Sequence, residues 1–113
     1  MSAPADGQGL RFDEGKSRVD LLPADALMEV GKVNAYGAAK YAPRNWERGM
    51  PWSKVVGPLL RHLFKWMMGE NVDSESGQRH IAMVAWNALA LLTYELRGIG
   101  TDDRQLVEVP KEK

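Results

Sequence analysis

The chain has 113 residues, no cysteine, and 15 basic against 15 acidic side chains, so its formal net charge is zero. That length suits one domain with one modest core. Disulfide scaffolding, a zinc–thiolate site and cysteine nucleophiles are excluded, and the charge balance argues against a duplex-DNA or polybasic membrane-surface binder.

In chain order, residues 1–9 are small and polar and read as a flexible tail. They lack a basic stretch followed by an apolar one, so no secretory signal is expected and a cytoplasmic location is the default. Lys16-Ser17-Arg18 forms a basic-polar patch ahead of Val19-Asp20-Leu21-Leu22-Pro23. The spacing of Leu27, Val30, Val33, Gly37, Ala38 and Tyr41 predicts a helix over 23–40, with Pro23 in its first turn. On one face of it lie Glu29, Lys32, Tyr36 and Lys40. They are either a solvated face with an i,i+3 ion pair, or a carboxylate for a metal with two cations for phosphates.

The connection from Ala42 to Trp52 carries two Trp, two Arg and two Pro. It is longer than the usual four to six residues or so. Its indoles either plug the bundle or wall a nucleobase, with Asn45 beside Trp46 able to read a base edge. For Trp52, packing is the favoured role.

A second helix is predicted over 54–69, starting either after Ser53 or at Pro58, with the stripe Leu59, Leu60, Leu63, Phe64 and Met67. A third, over 77–97, is apolar almost all round and stops at Gly98. Such a helix is buried centrally or in an interface between copies. Its apolar run from Ile81 to Leu92 is broken by Asn87 and is about half the roughly 20 residues of a membrane span. No stretch alternates with period two, so the fold class is all-α, a single domain with a helical core at about 23–97 and a second tail over 99–113. Three helices leave apolar surface uncovered, which predicts self-association.

The densest polar cluster runs from Arg61-His62 to Glu70-Asn71-Val72-Asp73-Ser74-Glu75-Ser76-Gly77-Gln78-Arg79-His80. Glu70 sits at a helix C-terminus, where the helix dipole disfavours a carboxylate. A cation partner would offset that, and carboxylate oxygens are what Mg2+ or Mn2+ prefers. The alternative is a polar loop that only caps helices. His62 is either a core histidine or a ligand, and Asn87, amid Ala and Leu, needs a hydrogen-bond partner or a ligand.

Taken together, Lys16-Ser17-Arg18-Val19-Asp20-Leu21-Leu22-Pro23, Tyr36-Gly37-Ala38-Ala39-Lys40-Tyr41, Asn45-Trp46-Glu47-Arg48-Gly49, Arg61-His62-Leu63, the Glu70-x-x-Asp73-x-Glu75-Ser76-Gly77-x-x-His80 string and Trp86-Asn87 resemble the phage and bacterial dATP/dGTP diphosphohydrolase family. That family is MazZ-like and related to the MazG nucleotide pyrophosphohydrolases. The resemblance covers about residues 12–96. It implies a small MazG-like helical bundle completed by oligomerisation to a homodimer or homotetramer. It also implies hydrolysis of dGTP, or of GTP or dATP, to the nucleoside monophosphate and pyrophosphate, feeding dGMP to a phage 2-aminoadenine pathway in the host cytoplasm.

On that reading Glu29, His62, Glu70, Asp73 and His80 are the metal candidates, for Mg2+ or Mn2+, and Glu70, Asp73 and His80 are the catalytic ones. Lys16, Lys40, Asn45, Trp46, Arg61 and Asn87 are the substrate-binding candidates. The wider pattern pairs E-x-x-E with E-x-x-D. Glu70-x-x-Asp73 fits the second half, whereas Lys32 stands where a second Glu after Glu29 belongs. No nucleic-acid or membrane partner is expected. The competing reading is a non-catalytic nucleotide-binding or helical interaction module.

Overall fold

The computed structural model describes residues 9–10 and 14–108. The outer parts of both expected tails, residues 1–8 and 109–113, lie outside the described residues. The described residues form three helices and two short 3₁₀ turns, Val19–Leu21 and Asn45–Arg48, and contain no strand beyond isolated bridges. The helices are α1 (Ala24–Lys40), α2 (Ser53–Met67) and α3 (His80–Arg97). The all-α class read from the periodicity is the class observed. Among the described residues no helix is long and apolar enough to cross a membrane.

Helix α1 begins one residue after Pro23, whose carbonyl accepts the first helical bond from Leu27 N–H at 3.0 Å. It ends as Tyr41 N–H returns to the Gly37 carbonyl, and Pro43 follows. Helix α2 starts at Ser53, so Pro58 lies inside it. The cap comes from far along the chain: Asp103 accepts from Ser53 N–H at 2.9 Å and from its hydroxyl at 2.5 Å. Gly69, with φ +100°, turns the chain away, so the helix ends at Met67, the last residue of its apolar stripe, two residues before the expected 69. Helix α3 starts at His80 rather than near residue 77, because the preceding residues close on themselves. Asp73 N–H bonds the Gln78 carbonyl at 2.8 Å, Gly77 N–H bonds the Asp73 carbonyl at 2.8 Å, and Val72 and Arg79 form an antiparallel bridge. Gly77 takes φ +74°, a conformation no α-helix continues through.

Helix α3 is central and packs on both α1 and α2, as its all-round apolar sequence requires. The buried nucleus is Val55, Ala90 and Tyr94, with Trp46, Met50, Trp52, Trp86, Leu91 and Ile99 packed on it. Trp86 also ties α3 to α1 by donating to Asn34 Oδ1 at 3.1 Å.

Residues 99–104, expected as the start of a tail, are bound to the α2 entry. Trp52 N–H bonds the Thr101 carbonyl at 2.9 Å, Trp52 Nε1 bonds the Ile99 carbonyl at 3.0 Å, and the Arg104 guanidinium lies over the Trp52 ring. Trp52 thus takes the packing role. Two glycines make this clasp possible. Gly49 (φ +90°) and Gly100 (φ +80°) bring backbone against backbone, and a Cβ on Gly100 would strike the Met50 carbonyl and crowd its nitrogen. Gly100→Ala should therefore cost about 1–3 kcal/mol of stability, read as a lower thermal midpoint.

Candidate active site

The connection from α2 to α3 and the first residue of α3 build a cluster of donors. Gly69 turns the chain out of α2, and Glu70 N–H still bonds the Lys65 carbonyl at 3.0 Å. The following turn folds Asp73 back under Ser76. Asp73 Oδ2 accepts from Ser76 N–H at 3.0 Å and from Ser76 Oγ–H at 2.7 Å, and none of these bonds uses Oδ1. Burial alone would raise the Asp73 carboxyl. The two Ser76 bonds, helped by the nearby His62 and His80 rings, outweigh burial and hold it below the usual carboxylate range.

His80 N–H bonds the Asn71 carbonyl, which fixes the register of the turn against α3. The ring is fully buried, and both of its nitrogens are engaged. Nε2 meets Glu70 Oε2 at 2.5 Å, and Nδ1 meets His62 Nδ1 at 2.9 Å. The Glu70 side chain is half exposed, so a solvent-facing carboxylate leans on a fully enclosed imidazole. Burial first, and then the neighbouring His80, push His62 below the usual imidazole range.

One donor atom each from Glu70, Asp73 and His80 lies within 4.8 Å of the others. Two carboxylates and one imidazole are a donor set that Mn2+ accepts, and its two hard oxygens also suit Mg2+. The residues present therefore fit a divalent cation. Glu29 stands apart from this group. Its carboxylate pairs with Lys32 at 2.6 Å and lies 3.6 Å from Arg79, and the Lys32 hydrogen bond holds it below the usual carboxylate range. The i,i+3 ion pair expected on that face of α1 is present.

A cavity of about 690 Å³ opens between the end of α1, the 42–50 connection, α2 and α3. Tyr36, Lys40, Asn45, Trp46, Asn87 and His62 line it. Four of the six substrate-binding candidates, Lys40, Asn45, Trp46 and Asn87, are thus brought to one space. Lys16 and Arg61 are not among its lining residues: Lys16 lies in the exposed segment before the first 3₁₀ turn, and the exposed Arg61 guanidinium lies over Gly57 on its own helix. Asn87 meets its need for a partner by donating to the Met83 carbonyl at 2.8 Å, one helical turn back.

Trp46 is both packing and wall. Its ring meets Trp86 edge-on at 5.6 Å and Tyr94 at 6.1 Å while also bordering the cavity. Glu47, from the Asn45-Trp46-Glu47-Arg48-Gly49 string, and three side chains outside the motif strings, Arg44, Tyr94 and Arg97, hold this wall. Tyr94 Oη–H donates to the Trp46 carbonyl at 2.6 Å, and Glu47 accepts from Arg44 at 2.8 Å and from Arg97 at 2.6 Å. The Arg97 hydrogen bond, followed by that of Arg44, holds the Glu47 carboxyl below its usual range. The Glu47–Arg97 and Tyr94–Trp46 contacts span 50 and 48 residues, so no local pattern announces them. The one site residue that spacing could have flagged is Ser76, three after Asp73, where a hydroxyl commonly closes such a turn.

Residues 6–104 match the family described as dATP/dGTP diphosphohydrolase, N-terminal. A protein of Salmonella phage PMBT28 named dATP/dGTP diphosphohydrolase is 30% identical over 95 residues, which cover 84% of this chain. The chain spans about a third of that relative's length, 32%. No solved structure matches the chain. With a family match that runs over nearly all of the described residues and takes in both the donor cluster and the cavity wall, the chain belongs to the dATP/dGTP diphosphohydrolase, N-terminal family.

Proposed function

We propose that this chain is a metal-dependent nucleoside triphosphate pyrophosphohydrolase that converts dGTP, and by the same chemistry GTP or dATP, to the monophosphate and pyrophosphate. The observation that carries this reading is adjacency. His62 borders the cavity and touches His80, so the space for a nucleotide adjoins the metal-fitting group. At about 690 Å³ the cavity is of the size that small-molecule sites occupy. The family match and the name of the phage relative support the same chemistry.

A divalent cation, Mg2+ or Mn2+, supplies charge neutralisation on the phosphates and a bound water of lowered pKa. The chain's own groups do the rest. Ser76 keeps Asp73 ionised and fixed. His80, enclosed by protein, is the rigid donor, and half-exposed Glu70 is the donor free to adjust. Lys40, Arg44 and Lys54 line the cavity as cations for phosphate oxygens, and Trp46 and Asn45 as surfaces for the base. With the base against Trp46, the triphosphate would run along the cavity towards His62, whose ring touches His80, and attack at the α-phosphate is the step expected.

Quenched reactions resolved by chromatography test this. We expect dGMP and pyrophosphate from dGTP with no early dGDP, and loss of turnover on chelation that added Mn2+ restores. Formation of dGDP with orthophosphate would place attack at the γ-phosphate. Deoxyguanosine with tripolyphosphate would mean another hydrolase class. Binding of a non-hydrolysable triphosphate without turnover would leave a nucleotide-binding module. The supply of dGMP to a phage 2-aminoadenine pathway is the cellular role that fits this product.

The same reading includes a homodimer or homotetramer. Phe64, Trp66 and Met67 on α2 are 54%, 44% and 66% exposed, and Leu92 and Leu96 on α3 are 50% and 78% exposed. Apolar surface of this extent is normally covered by a partner. Light scattering at micromolar concentration should give a multiple of 12.6 kDa, and a monomer mass would overturn the expectation.

A further inference from the structure

His62 touches the donor group without belonging to it, and its geometry gives it a specific task. The two rings face each other Nδ1 to Nδ1 at 2.9 Å, so a single proton must lie between them and one ring must accept. His80 Nε2 rests on Glu70 Oε2 at 2.5 Å. A neutral imidazole carries one proton, on one nitrogen or the other. When that proton is on Nε2 and is donated to Glu70, His80 Nδ1 accepts and His62 donates. When His80 offers its Nε2 lone pair to a cation, its proton must be on Nδ1, and His62 must accept.

We propose that His62 is a positioning residue for the metal-holding group: its Nδ1 is the acceptor that holds His80 in the tautomer whose Nε2 lone pair is directed at the Glu70–Asp73 side. This rests on the reading above that Glu70, Asp73 and His80 hold a divalent cation. The proton balance closes. One proton leaves His80 Nε2 for water by way of the half-exposed Glu70 carboxylate it rests on. The proton between the rings stays between them but changes its covalent partner from His62 to His80. His62 gains one from water at its own Nε2. The assignment follows from enclosure, because His80 is fully buried and has no water-facing route to an alternative acceptor for its Nδ1–H. Metal-binding histidines generally have their second nitrogen anchored in this way, and loss of the anchor weakens metal affinity by about ten- to a hundredfold.

The test is Mn2+ binding by electron paramagnetic resonance on the full chain without nucleotide, counting the binding that Glu70→Gln removes. His62→Leu takes away the acceptor, whereas His62→Asn keeps an amide oxygen near the Nδ1 position. We expect Mn2+ affinity to fall about ten- to a hundredfold in His62→Leu and to stay within a few-fold of wild type in His62→Asn, with both variants melting cooperatively. Long-range ¹⁵N–¹H spectra of wild type should place the proton of His80 on Nε2 without cation and on Nδ1 with saturating Mg2+. Wild-type affinity in His62→Leu would overturn the proposal, and so would an equal loss in both variants, since that pattern belongs to a direct ligand or a damaged fold. Absence of any Glu70-dependent Mn2+ binding in wild type would instead overturn the metal reading itself, and this proposal with it.

Discussion

Asp73→Asn and Glu70→Gln are each expected to lower dGTP turnover by at least about a hundredfold, because even the outer-shell partners of a metal account for ten- to a hundredfold. The asparagine is isosteric, and its amide oxygen can still accept from Ser76 N–H and Oγ–H, so the turn that Asp73 closes survives. What disappears is the negative charge that the Ser76 bonds keep available below the usual carboxylate range. In Glu70→Gln the amide likewise keeps the shape and loses the charge beside His80. Thermal midpoints should stay close to wild type, since replacing one hydrogen-bonded acceptor by another changes stability by about 1 kcal/mol or less. Turnover assayed at saturating Mn2+ and melting followed on the same samples check this. Turnover near wild type in both variants would place the catalytic metal elsewhere.

The donor group was legible because it is local. Glu70, Asp73 and His80 lie within eleven positions, and the helix dipole disfavours the carboxylate that follows Gly69, a cost that a cation would offset. The body of α1 was legible for the same reason, as its periodic face and its flanking prolines, Pro23 and Pro43, all act within a few residues. Where the cause is distant, the sequence is silent. The α2 start is decided by Asp103, fifty residues on, so Ser53 and Pro58 looked equally good as first positions. Residues 99–104 looked like tail because their partners, Met50 and Trp52, sit at the other end of the clasp. The α3 start falls at His80 rather than 77 because residues 72–79 close into a turn, in which the Ser76 hydroxyl is spent on Asp73. His62 shows a middle case. The sequence leaves it either a core histidine or a ligand, and the fold adds what no local pattern carries, its contact with His80 beside the Glu70–Asp73–His80 cluster.

Tyr94→Ala should produce the largest loss of stability in the chain. The side chain is fully buried, the most enclosed of the large described residues together with His80, and it forms the core with Val55 and Ala90. Large aromatic-to-alanine changes in such places remove about 3–5 kcal/mol, partly as lost transfer energy and partly as unfilled cavity. Against a total of about 5–15 kcal/mol for a domain of this kind, that leaves the protein close to unfolding at ordinary temperature. The hydroxyl can be separated from the ring. Tyr94→Phe keeps the packing and loses only the bond to the Trp46 carbonyl, about 0.5–1.5 kcal/mol. That carbonyl belongs to the turn carrying Asn45 and Trp46, the cavity wall. The Phe variant should therefore keep its fold and its Mn2+ affinity while its KM for dGTP rises, because the donor group is built from a different segment. Denaturant titration of both variants, with steady-state kinetics on Tyr94→Phe, reads each effect separately. An unchanged midpoint in Tyr94→Ala would mean that the core lies elsewhere, and an unchanged KM in Tyr94→Phe would mean that the Trp46 turn is held well enough by Glu47 between Arg44 and Arg97 alone.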